Sequence, residues 1–298
     1  MYYLVMDFGG SSVKCAVMTE SADIIELFNL ESRADSYIQW IERFVPVFNH
    51  YNDKYGIKGI AISTCGAVDV DSGVISGSSA LPYIHGFDVR ALYQERFQVP
   101  VELENDACCA ALAESWLGAG KETSHFCTLV IGSGIGGAIV KANQVQKGHN
   151  LHGGEFGFMI AEYKDEKPLI FGNLASTKAL VVAVAEAIAL PSDKLNGIDV
   201  FNMYTKGNET ISPIVEKWFR YLAAGIYNIQ YSVDPELILL GGAVSRQKNF
   251  CSKINEKLDE LMSDLPFSKI RPVIGVAQFG NNANLIGALK HFLIRQGS

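Results

Sequence analysis

The pair Asn105-Asp106 carries the residue types in this sequence that are best suited to chemistry. It stands between an alternating apolar and acidic run, residues 101–104, and a helical run, residues 108–117. A carboxylate at the end of a strand could take a proton from a substrate, as a general base does. Asn and Asp are also the residues that most often cap the first turn of a helix, so the pair alone leaves both interpretations open.

Two glycine turns could bind the phosphates of a nucleotide. Both lie between β runs, and they comprise Asp7, Phe8, Gly9, Gly10, Ser11 and Ser12 in the first turn and Gly132, Ser133 and Gly134 in the second. Glycines and small hydroxyl residues let the backbone approach a ligand closely, and their amides can donate to anionic oxygens. A plain hairpin turn is the alternative for either turn alone, but here two such turns open the two halves of the chain.

Other nucleotide-binding patterns fit less well. The second turn continues to Gly137 and formally matches the dinucleotide fingerprint G-x-G-x-x-G, which requires a helix directly after the glycines. Here the apolar run 138–140 continues a strand instead. The loop G-x-x-x-x-G-K-S/T is absent from the sequence, so neither a Rossmann nor a Walker-type site is predicted.

Gly241-Gly242 and Asp7 indicate where other parts of a nucleotide could bind. Paired glycines after the apolar strand 237–240 leave room for a flat ring such as adenine against the backbone. Asp7 is the acidic residue beside the first glycine turn. It could hold Mg²⁺ through water, because this ion usually keeps several waters and takes one or two carboxylates. Its alternative role is to form the turn.

Composition and charge exclude several classes of protein. The formal net charge is -7 with a pI near 5.4, and no cluster of Lys and Arg marks a nucleic-acid surface. The sequence shows no signal peptide and no apolar stretch of membrane length. The six cysteines form no C-x-x-C pair, and the loop residues His149 and His152 lack metal-site neighbours. We therefore expect a cytoplasmic protein with reduced cysteines that binds neither nucleic acid nor membranes.

The elements that position these residues form an α/β pattern that occurs twice. In the first half we predict strands over 2–7, 13–19, 23–30, 59–63 and 101–104, and helices over 36–55, 89–97 and 108–117. In the second half we predict strands over 125–131, 135–141, 237–240 and 272–277, and helices over 176–190, 198–205, 211–232, 249–261 and 283–292. We expect one lobe over 1–118 and a second over 119–282, with a cleft between them. The C-terminal helix, within 283–298, is expected to join the first lobe.

Five motifs in chain order carry a resemblance to a known family. They are Asp-x-Gly-Gly-Ser, Glu-Asn-Asp-Ala, Gly-Ser-Gly-Ile-Gly-Gly, Gly-Glu-x-Gly and Leu-Gly-Gly. With these motifs at plausible spacing, the chain resembles the ROK family of sugar kinases from residue 6 to about residue 289. The resemblance implies two ribonuclease-H-like lobes of the actin-like ATPase superfamily. It also implies ATP-dependent phosphorylation of a sugar hydroxyl, usually at carbon 6.

The resemblance also implies roles for individual residues. Asp106 would be the general base for the attacking hydroxyl, and the sugar contacts would be Asn105, Gly66, His152 and Glu155. The turns 7–12 and 132–134 would hold the phosphates, and Gly241-Gly242 would face the adenosine. One carboxylate at the nucleophile suits phosphoryl transfer, which requires mainly positioning and charge neutralisation. Members of the family are commonly homodimers, so a homodimer is expected.

Several positions depart from the family pattern. Phe158 stands where most members have a His that binds zinc and sugar, and residues 163–173 contain no Cys or His for the usual zinc segment. We therefore predict no structural zinc. Ala80 stands where many family glucokinases have an Asn, and the glutamate of the zinc segment falls near Gly172. A pocket that loses these polar partners should reject free glucose.

Residues 154–159 and 280–288 are most similar to the β-glucoside kinase branch of the family. Its members phosphorylate the 6-hydroxyl of the non-reducing glucose in β-glucosides such as cellobiose. Phe158 would pack against the second sugar or aglycone, or else belong to the core. The alternatives are a ROK hexokinase acting on N-acetylmannosamine, glucose or fructose, and a non-catalytic sugar sensor. A ROK repressor is not expected, because no helix-turn-helix precedes Asp7.

Overall fold

The structure is a computed structural model that describes residues 1–77, 79 and 81–297. Ala80, and with it the predicted loss of a glucose contact, lies outside the described residues. The chain folds into two compact units. Unit 1 comprises Met1–Gly118, Lys147–Gly153 and Asn281–Ser298, and unit 2 comprises Ala119–Gln146 and Gly154–Gly280.

Runs of strands and runs of helices follow one another along the chain. The strands are β1 (Tyr2–Phe8), β2 (Ser12–Thr19), β3 (Ile24–Glu31), β4 (Ile60–Thr64), β5 (Ala67–Asp69), β6 (Val74–Ser76), β7 (Val101–Asn105), β8 (His125–Ile131), β9 (Ile135–Lys141), β10 (Gln144–Val145), β11 (Ile160–Lys164), β12 (Lys167–Ile170), β13 (Leu237–Gly241) and β14 (Ile274–Val276). The helices are α1 (Tyr37–Tyr55), α2 (Val89–Phe97), α3 (Asp106–Trp116), α4 (Phe171–Ala175), α5 (Thr177–Ala187), α6 (Gly197–Thr205), α7 (Ser212–Val233), α8 (Phe250–Asp264) and α9 (Ala283–Gln296).

Both units are built around a five-stranded sheet of the same design. The strand order is β3-β2-β1-β4-β7 in unit 1 and β10-β9-β8-β13-β14 in unit 2. In each sheet the first three strands are antiparallel, and the strand at the centre pairs in parallel with the next. The predicted α/β class with two lobes of related plan is therefore confirmed.

Helix α1 shows how the sequence sets the local structure of unit 1. The Ser36 hydroxyl caps the helix by accepting from the Gln39 amide, and the helix ends at Gly56 in the left-handed conformation, with φ of 66°. Trp40, Phe44 and Phe48 recur every four residues, so they share one face and are buried. That face completes the core of unit 1 over the sheet.

Unit 2 has a separate core of its own. Helix α7 contributes a buried apolar face that includes Trp218, Leu222 and Ile226. These side chains share one hydrophobic cluster with Leu129 of β8 and Ile238 of β13. Among the described residues, no helix combines the length and apolarity needed to cross a membrane.

The C-terminal helix is longer than the apolar pattern predicts. Helix α9 continues past Phe292 to Gln296, because polar side chains of its last turn bind within unit 1. Arg295 donates to the Asp71 carboxylate and to the Val70 carbonyl, and Gln296 donates to the buried Glu102 carboxylate. The helix packs against α3 and against the parallel strands β1, β4 and β7.

Several short elements were not predicted from the sequence. The hairpin β5-β6 lies between the predicted strand 59–63 and the predicted helix 89–97, where no strand was expected. A second hairpin, β11-β12, followed by α4, overlaps residues 163–173, the segment that lacks the family's zinc residues. The predicted strand 272–277 is shorter, comprising only β14. The expected second lobe, residues 119–282, differs from unit 2, since Lys147–Gly153 and the residues from Asn281 onward cluster with unit 1. The Lys147 side chain gives a physical reason, because its ammonium binds the buried Glu104 carboxylate of β7.

Candidate active site

The carboxyl ends of three parallel strands bring the chemistry-bearing residues of unit 1 to one edge of its sheet. Asp7 of β1 pairs with Ser63 of β4, which pairs with Glu104 of β7. The next row continues from Phe8 through Thr64 to Asn105. The first glycine turn and Asn105-Asp106 therefore leave the sheet at the same edge, where ligands bind in open α/β sheets.

Asn105 and Asp106 divide two tasks between them. Asn105 is the N-cap of α3, and its Oδ1 accepts from the Cys108 amide at 3.1 Å. Its Nδ2 donates to the Gly66 carbonyl at 3.1 Å, which joins two of the predicted sugar contacts. Asp106 is the first residue of α3 and is partly exposed, with its Oδ1 accepting from the Ala107 amide at 2.9 Å. The cap thus rests mainly on Asn105, and Asp106 stands in the first turn, where the helix dipole favours a carboxylate.

The Asp7 carboxylate is held by two neighbours that the sequence did not single out. Its Oδ1 accepts from the Ser63 hydroxyl at 2.8 Å and from the Asn284 amide at 3.1 Å. Burial raises the pKa of Asp7, while these hydrogen bonds and the Lys14 ammonium act in the opposite direction. A single oriented carboxylate beside a phosphate turn fits hydrated Mg²⁺, which takes its remaining ligands from water and phosphates.

The first glycine turn forms the tip of the β1-β2 hairpin. The Gly9 amide donates to the Ser12 carbonyl at 3.0 Å, and Gly10 and Ser11 are exposed. Gly10 also lines a cavity of about 540 Å³ whose wall includes Arg33, Arg43, Pro82 and Tyr83. The turn therefore borders a cavity whose wall carries two cationic side chains and the acidic Asp35.

The second glycine turn and the paired glycines lie in unit 2. The Gly132 amide donates to the Gly134 carbonyl at 2.9 Å, and the Gly132 carbonyl accepts from the Thr177 amide that opens α5. Gly242 has φ of 90°, and a Cβ there would lie 2.1 Å from the Ile131 carbonyl oxygen. Close packing on β8 is thus a sufficient reason for Gly242, and its predicted contact with adenosine stays a prediction.

Glu155 and Phe158 lie on a single 3-10 turn of unit 2. A Cβ on Gly157 would lie 2.2 Å from the Ile135 carbonyl oxygen, so the turn sits directly on β9. Glu155 is partly exposed, and the Phe158 side chain is 68% exposed. The alternative that Phe158 is a core residue is therefore wrong, and its predicted contact with an aglycone is left open.

His152 lies on the loop Lys147–Gly153, which belongs to unit 1. The His152 side chain is exposed, and its Nδ1 lies 2.6 Å from the Asn150 carbonyl. Sequence reasoning missed Lys147 and Glu104, which join this loop to β7, as well as Ser63 and Asn284. The signal that could have found Glu104 is the alternation in residues 101–104, which places two acidic side chains on one face of a buried strand.

Over residues 1–77, 79 and 81–297, no group of three or more His, Cys, Asp or Glu side chains is placed to hold a metal ion. The expectation that structural zinc is absent stays a prediction.

Comparison with known proteins identifies the family. The sequence profile of the ROK family matches residues 3–294. The β-glucoside kinase of Klebsiella pneumoniae is 30% identical over 98% of this chain and 96% of its own length. The glucokinase of Halalkalibacterium halodurans is 25% identical over 96% of this chain and 93% of its own length. The crystal structure of a ROK family protein from Streptococcus pneumoniae in complex with sucrose has a TM-score of 0.90 and 33% identity, covering 100% of this chain and 99% of that one. The chain therefore belongs to the ROK family.

Proposed function

We propose that this protein is an ATP-dependent sugar kinase that phosphorylates the 6-hydroxyl of a glucosyl unit, namely the non-reducing glucose of a β-glucoside such as cellobiose. The observation that carries the proposal is the meeting of the Gly9–Ser12 turn and Asn105-Asp106 at one edge of the sheet of unit 1. Phosphoryl transfer needs a phosphate site and a carboxylate at the nucleophile, and this edge offers both.

Individual roles follow from this chemistry. Asp106 accepts the proton of the attacking hydroxyl, and Asn105, Gly66, His152 and Glu155 bind the sugar. The two glycine turns bind the phosphates of ATP, and Gly241-Gly242 contacts the adenosine. Asp7 holds Mg²⁺ through water, and the ion would neutralise charge on the phosphates.

The β-glucoside preference rests on Phe158 and on the relatives. An exposed aromatic side chain offers an apolar face for a second sugar ring or an aglycone. The first curated relative described above is a β-glucoside kinase. The second is a glucokinase, which keeps a monosaccharide hexokinase as the alternative. We also propose that the protein is cytoplasmic, that it forms a homodimer and that it does not bind nucleic acid.

A sugar panel tests the substrate. Purified protein is incubated with ATP and Mg²⁺ and with cellobiose, gentiobiose, arbutin, glucose, fructose or N-acetylmannosamine, and ADP release is measured. We expect kcat/KM for cellobiose to exceed that for glucose by about tenfold or more. A pocket that lacks polar partners for free glucose should reject this sugar strongly. The position of the new phosphate is read by NMR.

The outcomes separate the alternatives. If cellobiose and arbutin gave no more ADP than the sugar-free reaction while a monosaccharide was consumed, the β-glucoside assignment would be wrong. If no sugar raised ADP release, the kinase proposal itself would fail.

A further inference from the structure

The loop Lys147–Gly153 is an excursion of the chain into unit 1. The residues before and after it belong to unit 2. The loop is closed on itself, because the Gly153 amide donates to the Lys147 carbonyl at 2.7 Å and the Leu151 amide donates to the Gly148 carbonyl at 3.4 Å. Its polar side chains apart from Lys147 are exposed, including that of His152.

Lys147 attaches this loop to the strand that ends at Asn105. Its ammonium donates to Glu104 Oε1 at 2.5 Å and to the Val68 carbonyl at 2.5 Å. The Lys147 and Glu104 side chains retain only 14% and 4% of their exposure. Burial of the two charges costs desolvation energy, which offsets their attraction. We therefore expect the pair to fix the position of the loop rather than to raise the free energy of unfolding.

The same Glu104 oxygen also holds the backbone of a predicted sugar contact. Glu104 Oε1 accepts from the Asn105 amide at 2.6 Å. One carboxylate oxygen therefore binds the loop and the residue that precedes Asp106. His291 Nδ1 lies 3.8 Å from Glu104 Oε2, but burial lowers the pKa of His291 to about 3, which leaves that ring neutral near pH 7. Among the residues that the structure describes, Lys147 is thus the cation that bonds directly to Glu104.

We propose that Lys147 and Glu104 are positioning residues that fix the loop Lys147–Gly153, with His152, against the strand end that carries Asn105-Asp106. This inference rests on the proposed function, since it makes the ion pair a determinant of sugar affinity. The pair acts through the loop and through the Asn105 backbone. The affinity for ATP should not depend on it.

The test breaks the pair while it keeps most of the length of each side chain. Lys147→Met keeps most of the length of the side chain and removes its charge, and Glu104→Gln keeps the shape of the partner. We expect each variant to raise KM for the sugar about tenfold, with KM for ATP changed less than about twofold, because a loosened loop affects ground-state sugar binding. Lys147→Arg should restore most of the affinity. Lys58→Met, at an exposed lysine of unit 1, serves as the matched control.

A double-mutant cycle shows whether the two residues act as a unit. If they do, the variant with both substitutions should have about the same sugar KM as either single variant, because coupled residues are not additive. The inference would be overturned if the variants raised KM for ATP and KM for the sugar by the same factor. It would also be overturned if activity fell only in proportion to the fraction of folded protein, because either result would indicate a merely structural role. If Lys147→Met does not fold, Glu104→Gln alone carries the test.

Hydrogen exchange distinguishes this inference from the proposed function. Amides of residues 148–153 should exchange faster in Lys147→Met than in the wild type and in Lys58→Met. Unchanged exchange would overturn the inference whatever the protein phosphorylates. A wild type that phosphorylates no sugar would instead overturn the proposed function, while the exchange rates would still judge the attachment of the loop.

Discussion

At the scale of single residues, the structure shows which residue of the pair Asn105-Asp106 caps the helix, a question that the sequence left open. Asn105 supplies the helix cap through its Oδ1, and a second bond from its Nδ2 reaches Gly66. Asp106 begins the helix and remains partly exposed. A carboxylate fixed in the first turn of a helix is well oriented for a repeated proton transfer. The cap is therefore compatible with catalysis.

Replacing Asp106 with Asn tests the proposal that this residue is the general base. The amide keeps the shape of the carboxylate but cannot take the proton, so kcat should fall by about 10²–10⁴-fold. Binding of ATP and of the sugar, measured by titration calorimetry, should change little, since the base acts in the transition state. Asp53→Asn, at an exposed position of α1, is the control. Near-normal turnover in Asp106→Asn would remove this residue from the mechanism.

The sequence could predict the candidate site residues, but it could not predict the residues that hold Asp7 in place. Motifs in the sequence point to Asp7, Asn105 and Asp106, because these polar residues lie at the end of a predicted strand or directly after one. The supporting residues Ser63 and Asn284 lie 56 and 277 positions away from Asp7 in the chain. Their contacts arise from strand register and from the return of α9. No local pattern in the sequence encodes them.

At the scale of elements, the close packing of α9 on α3 fixes the helix that carries Asp106. A Cβ on Gly287 of α9 would lie 1.7 Å from the Cys109 carbonyl oxygen of α3. The two backbones therefore approach more closely than any other residue at position 287 would allow. The clash would involve backbone, so rotation of a side chain cannot relieve it.

Gly287→Ala should destabilise the protein and lower its turnover. Overpacking costs about 1–3 kcal/mol, and the gain in helix propensity offsets about 1 kcal/mol. Because the contact is with backbone, we expect an overpacking cost of about 3 kcal/mol, the upper end of that range. After the gain in helix propensity, the net loss in the free energy of unfolding should be about 2 kcal/mol. Urea unfolding measures the loss, and the kinase assay shows whether the displaced α3 also lowers kcat.

The matched control is Gly136→Ala, where no described atom outside residues 135–137 lies within 4 Å of the added Cβ. It makes the same chemical change without a clash, so it should be as stable as the wild type or up to about 1 kcal/mol more stable, because Gly inside a strand is less favourable than Ala. Unchanged or higher stability of Gly287→Ala would show that the two helices separate at no cost.

At the scale of the whole molecule, the duplicated plan could be predicted but the path of the chain between the units could not. Repeated glycine turns and strand patterns indicated two related lobes, and both sheets share one strand order. The loop Lys147–Gly153 belongs to unit 1, where the buried ion pair between Lys147 and Glu104 holds it. The alternation in residues 101–104 could indicate Glu104 but not its partner, because a lysine in a polar loop is expected to be solvent-exposed.

Because α9 packs in unit 1, we predict that unit 1 needs this helix in order to fold. We also predict that residues 281–298 can stand at either end of the chain. A chain that ends at Gly280 should leave unit 1 unfolded, because α9 buries most of its side chains against α3 and the parallel strands. The ring of Phe292 lies 5.3 Å from the ring of Tyr3, so the end of α9 is close to the start of β1. Placing residues 281–298 ahead of residue 1 through about ten Gly and Ser residues, which span roughly 17 Å on average, should then restore folding.

Circular dichroism, urea unfolding and the kinase assay compare the shortened, rearranged and wild-type chains. The rearranged chain should recover the secondary structure and the cooperative unfolding that the shortened chain lacks, since chain ends that lie close together tolerate permutation. It should also recover turnover, because α9 supplies Asn284 to Asp7 and Gly287 to α3. If it stayed as unfolded as the shortened chain, the covalent link between Gly280 and Asn281 would itself be needed to fold unit 1.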